Sequence, residues 1–167
     1  MKKKLGLVFM AAMIGLVSTA AYYYAVDLSG DWTLNKGKSE LGEWGDRIAP
    51  TKLKIATQTG MIAVDRTGAN FEGQEVVSNE KLMLDGKETE STVFGNSKKK
   101  SVAKWSDDGQ SLKVTSTIVL DINGQTTDIK VEEEYKLAEN GQALSLVSTS
   151  NSSYGTSTMK LVYDKAK

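Results

Sequence analysis

The side chains able to do chemistry in this chain are carboxylates, amines, hydroxyls and two guanidinium groups, because it contains no cysteine and no histidine. That absence removes disulfides, thiolate and imidazole metal ligands, cysteine nucleophiles and histidine bases together. Ser-x-x-Lys occurs at Ser97–Lys100, Ser101–Lys104 and Ser157–Lys160. A serine nucleophile with a lysine base uses this spacing on a helix, where residues three apart share a face. On a strand the same odd separation sends the two side chains to opposite faces. Residues 99–106 and 155–164 read as strands, so Ser101–Lys104 and Ser157–Lys160 face apart and no catalytic residue is expected. Glu133 is different: within Glu132-Glu133-Glu134 it shares the phase of Val131, Tyr135 and Leu137, while Arg66 shares that of Ile62 and Val64. A carboxylate turned inward needs a partner or water. One reading is an internal Arg66–Glu133 pair, or one of the two meeting a ligand's polar end; the other is a register that turns both outward.

The remaining motifs read as structure. Lys98-Lys99-Lys100 is a charge run whose expected place is a solvated strand edge. Asp121-Ile122-Asn123-Gly124 opens like a calcium loop, but the spacing fails after the glycine and no glutamate closes it. Gly68 to Gly73 lacks the Lys-Ser/Thr ending of a phosphate loop. Neither a metal nor a cofactor is expected.

The elements that must position these residues are strands. At 167 residues, with 40% hydrophobic and 25% charged residues and one proline, the chain has the size and composition of one packed domain. The 21 basic and 21 acidic residues balance, and no excess of positive charge argues for nucleic acid. Period-two alternation predicts strands near 28–34, 51–58, 61–67, 75–84, 87–94, 99–106, 110–121, 125–137, 142–150 and 155–164. Thr59-Gly60, Asp85-Gly86, Asp108-Gly109, Asn123-Gly124 and Asn140-Gly141 lie between them as hairpin turns. The fold class is therefore all-β, an antiparallel up-and-down meander of about 8–10 strands. Closing it into a barrel removes the edges; a two-sheet sandwich is the alternative. One long connection, Lys36 to Pro50, carries Trp44 and Arg47. The inferred inner faces include Thr57, Ser116 and Ser148, hydroxyls that suit a hydrated cavity or an incompletely closed sheet. Trp32 and Trp105 are expected in the core.

Ahead of this domain, which spans 26–167, Lys2, Lys3 and Lys4 precede an apolar run from Leu5 to Val17, and small residues follow at Ser18-Thr19-Ala20-Ala21. This is the layout of a secretory signal peptide over 1–21. An uncleaved anchor is the rival, since Leu5 to Ala25 is long enough to cross a bilayer, and it would be the only membrane contact. No cysteine follows the apolar run, so the chain is expected in the bacterial periplasm or outside the cell and not as a lipoprotein. Cleavage leaves 18 basic against 21 acidic residues.

Leu28-Ser29-Gly30-Asp31-Trp32 places Gly-x-Trp on the first strand, shortly after the signal. Together with the hairpin meander, this resembles the opening of lipocalins and the wider calycin group, including bacterial lipocalin-like domains. The resemblance implies a barrel plugged at one end by Gly30 and Trp32, with the first strand paired to a late one. It also implies a late basic residue over the tryptophan, for which Lys160 is the candidate. The expectation is a non-enzymatic exported protein that binds a small hydrophobic or amphipathic molecule. Arg66, Glu133 and Tyr135 would be its contacts, with Trp44 and the 36–50 loop as a lid. The alternatives are a solid barrel that binds a protein partner and, third, a carboxylate-dependent hydrolase, which needs a second inward carboxylate beside Glu133.

Overall fold

The computed structural model describes residues 25–166 apart from Trp44, Phe71, Glu72, Gly95, Asn96, Asn123 and Gly124. The expected signal peptide, Trp44 and part of the Asp121–Gly124 turn therefore lie outside the described residues.

Ten antiparallel strands make up one sheet: β1 (Gly30–Leu34), β2 (Lys52–Gln58), β3 (Met61–Ala69), β4 (Glu75–Met83), β5 (Thr89–Val93), β6 (Ser97–Trp105), β7 (Ser111–Ile122), β8 (Gln125–Ala138), β9 (Ala143–Ser152) and β10 (Gly155–Lys165). A four-residue helix, α1 (Gly45–Ile48), lies in the long β1–β2 connection. Most strands alternate more and less buried residues, as on Leu53 and Ile55 of β2 against Lys52 and Lys54. An antiparallel sheet with one wet face gives this pattern.

The order along the sheet is β4-β3-β2-β1-β10-β9-β8-β7-β6-β5. The first and last strands pair, with Trp32 opposite Lys165, as the calycin resemblance implies. The result is a barrel rather than a sandwich. It is nearly closed: β4 and β5 lie side by side across a short connection, yet stand at opposite ends of the ladder order. Closure does not remove the edges, as the meander alone predicts; it leaves a seam between β4 and β5. The hairpin expected at Asp85-Gly86 is a turn without a ladder. Gly86 there has φ +78, a left-handed conformation that glycine adopts without strain.

The two ends of the barrel differ. At the end carrying the β2–β3, β4–β5, β6–β7 and β8–β9 turns, the segment before β1 crosses the opening. The Val26 amide donates to the Gly109 carbonyl at 3.0 Å, and Leu28 is fully buried. Above it Trp32, Leu53, Ile55, Ile62, Leu82, Leu112, Leu144 and Leu161 form one continuous core. The other end carries the β3–β4, β5–β6, β7–β8 and β9–β10 loops and holds a smaller apolar cluster of Ile118, Leu120 and Val131, against which Val93 and Ile129 pack.

Trp32 is 1% exposed, and its Nε1–H donates to the Leu28 carbonyl at 3.1 Å. The basic residue over its ring is Lys165, 5.4 Å from the ring centroid, and not Lys160. Lys160 belongs to the outward phase of β10 and pairs with Glu40 at 2.9 Å. Trp105 lies at the edge of the core, half-buried. Thr57 is exposed and donates to Asp27 at 3.1 Å, so it is not an interior hydroxyl, whereas Ser116 and Ser148 are buried.

Candidate functional site: a charged layer beneath an apolar cavity

Between the two apolar clusters the barrel interior carries charge. Arg66 on β3 and Glu133 on β8 face each other across the lumen, with β2, β1, β10 and β9 between them in the sheet order. Their contact is bidentate: Arg66 Nη1 donates to Glu133 Oε1 at 2.7 Å and Nη2 to Oε2 at 3.0 Å. Paired N–H groups meet paired carboxylate oxygens in the strongest geometry open to such groups. The internal pair read from strand phase is therefore present. Tyr135, two residues from Glu133 on the same face, accepts a further Nη2 hydrogen bond at 2.6 Å.

Two members of this layer escaped the sequence reading. Lys99, expected in solvent, is 4% exposed, and Glu80 is 5% exposed. Lys99 Nζ donates to Glu80 at 3.0 Å and to Glu133 at 3.4 Å, and Arg66 Nη2 donates to Glu80 at 3.1 Å. Glu80 also accepts from Ser101, whose hydroxyl lies 2.9 Å from that of Ser116. A signal existed for both. Lys99 shares the phase of Ser101 and Ala103, and Glu80 that of Leu82. Sitting on β4, Glu80 reaches past β5 to β6, so its side chain ties the walls together where backbone pairing is missing.

Two cations and two anions thus form a closed set. Burial alone would raise the Glu133 carboxyl, but the attraction of Arg66 and then Lys99 outweighs it and holds the group at about 2. Glu80 is lowered in the same way, against burial, by Arg66 and Lys99. Burial works against the charge on Arg66, yet Glu133, Tyr135 and Glu80 lift it well above the ordinary guanidinium range. Tyr135 is pushed up, chiefly by burial, and stays neutral. Glu80, Glu133 and Arg66 are therefore charged at neutral pH.

The layer is the floor of a cavity of about 220 Å³ that opens towards the loop-bearing end. Ile118, Ile129, Val131, Val93 and Met159 line its walls, and Ile48 and Pro50 from the β1–β2 connection reach its rim. Ser148 and Ser150 on β9 add hydroxyls to one side. A molecule inside would have an apolar body among the walls and a polar end towards the floor.

Catalysis finds little support in this geometry. Ser101 is buried while Lys104 is exposed, Ser157 and Lys160 lie on opposite faces of β10, and Ser97 and Lys100 face apart on β6. The second inward carboxylate does exist, as Glu80. Both carboxylates are nevertheless held ionised by the same two cations, whereas a general acid needs a raised pKa. Among the described residues no group of His, Cys, Asp or Glu could hold a metal ion, and no helix is long and apolar enough to cross a membrane.

No protein-family model and no curated protein matches the chain. Among solved structures it is similar to the zebrafish ileal bile acid-binding protein complexed with cholic acid, at 17% identity and a TM-score of 0.52, over 83% of this chain and 98% of that one. The likeness shows the fold: an all-β, nearly closed antiparallel barrel with a lipocalin-like, calycin-like fold.

Proposed function

We propose that this chain is a non-enzymatic, exported carrier that holds a small, partly apolar molecule inside its barrel. One observation carries the reading: the cavity has apolar walls, a polar floor and an open mouth, the arrangement expected of a small-molecule site. A zebrafish protein of the same fold is complexed with a small molecule, cholic acid, which supports the use of such an interior for binding. Arg66, Glu133, Glu80 and Lys99 form the floor, Tyr135 lies behind it in the packed core and holds Arg66, and Ile48 and Pro50 form part of the rim. At about 220 Å³ the space falls below the ~300 Å³ at which drug-sized pockets begin, so the ligand is small or leaves one end at the mouth. The N-terminal charge and hydropathy pattern supports export. A solid barrel that binds only a protein is the weaker reading, because the interior is not filled.

Native mass spectrometry of the chain, recovered from the exported fraction without detergent, tests this. The expected result is an intact mass lacking the first 20 or so residues plus a bound mass that denaturation releases. A bare protein mass in repeated preparations, and no uptake of added apolar molecules, would contradict it.

A further inference from the structure

We propose that the interior selects an uncharged amphiphile, one whose head is a hydroxyl, carbonyl or amide, and discriminates against anions. This rests on the carrier reading above and sharpens it. Arg66, Lys99, Glu80 and Glu133 are the charged groups that line the cavity among the described residues. They sum to zero, and each cation already contacts both carboxylates. The charge of each cation is already matched, and the buried Arg66 Nε–H, which has no partner among the described residues, is a donor that a neutral oxygen can meet without changing that count. An incoming carboxylate or sulfonate would either leave one buried charge unmatched or displace Glu80 or Glu133 from Arg66, and an unmatched buried charge is costly. A neutral head leaves the count at zero. The hydroxyls of Ser148, Ser150 and Ser91, all on the cavity lining and the last buried without a hydrogen-bond partner among the described residues, offer it uncharged hydrogen-bonding groups.

The same reasoning predicts a switch. Removing one internal carboxylate without changing its shape, as in Glu80→Gln, gives the layer one net positive charge that an anion can match.

The test uses two fluorescent probes with the same aromatic skeleton: neutral N-phenyl-1-naphthylamine and its anionic 8-sulfonate, 8-anilinonaphthalene-1-sulfonate. Each is titrated into the unmodified chain and into Glu80→Gln at neutral pH. The neutral probe is expected to bind the unmodified chain at least about tenfold more tightly, which is ~1.4 kcal/mol, and Glu80→Gln is expected to narrow or reverse that ratio by a similar factor. Equal or tighter binding of the sulfonate to the unmodified chain overturns the inference and leaves the carrier reading intact. Failure of both probes to bind overturns the carrier reading with it. The two-probe comparison on the unmodified chain decides the matter even if Glu80→Gln does not fold.

Discussion

The strands that converge on Trp32 at one end of the barrel reach the open mouth at the other, and their inward residues change in kind along the way. On β7 the inward series runs Leu112, Val114, Ser116, Ile118; on β9 it runs Leu144, Leu146, Ser148, Ser150. Near Trp32 the inward positions of these two strands are apolar and buried. Past Ser116 the wall of β7 turns apolar again while β9 keeps a hydroxyl at Ser150, and Ile118 and Val131 retain 8% and 9% exposure, because they border a cavity. The lower half gains its stability from packing. The upper half gives up packing for space, and the charged layer divides the two.

Changes in each half should separate stability from binding. The largest effect is expected at Trp32. Trp32→Ala removes the largest buried side chain, its hydrogen bond to Leu28 and the ring beneath Lys165, and should cost about 4 kcal/mol in urea unfolding. Next is the dividing layer. Arg66→Met leaves Glu80 and Glu133 with Lys99 alone and should cost about 3 kcal/mol, since removing one partner strands the others. Replacing Glu133 by Leu in the same chain should recover part of that loss, a coupling read from a double-mutant cycle.

Acid tests the same layer. Glu133 titrates at about 2 in the folded chain against an ordinary value of 4.5. A depressed carboxyl contributes stability that is fully present above its unfolded value and lost as pH falls through the folded one. Unfolding midpoints should therefore drop progressively between about pH 5 and 2, with Glu133 accounting for about 3 kcal/mol. Glu133→Gln should flatten that slope. A slope unchanged by the substitution would mean that the charge on Glu133 is not what the layer depends on.

The smallest effect on stability is expected in the upper half. Val131→Ala should cost about 1 kcal/mol, because the site already borders empty space, whereas Leu146→Ala should cost 2–4 kcal/mol in the packed half. Probe binding should show the reverse order, weakened by Val131→Ala and untouched by Leu146→Ala in the folded protein.

Local alternation made the inward phase of each strand legible, and with it the Arg66–Glu133 pair, since a period of two assigns faces without knowledge of the partner. Lys99 and Glu80 were harder to see. Lys99 stands between two outward lysines, and Glu80 follows an exposed Val76-Val77 pair that blurs the alternation of β4. In both cases the charge hid a face that the phase alone would have assigned. Lys165 shares the inward phase of Leu161 and Tyr163, so its position over Trp32 was open to the same reasoning, which favoured Lys160 on resemblance instead. The β4–β5 seam was not legible in the same way. Whether two strands joined by a tight turn also pair depends on how the whole sheet curves to bring β1 against β10, and no local window contains that information.

A small molecule should occupy the upper half and leave the lower half unchanged. Isoleucine methyl NMR tests it directly, because Ile48, Ile118 and Ile129 line the cavity while Ile55 and Ile62 lie in the packed core. On titration with N-phenyl-1-naphthylamine the first three signals should shift together and saturate, with Ile55 and Ile62 staying in place. Shifts centred on Ile55 and Ile62, or no saturable shift at Ile118 and Ile129, would contradict it.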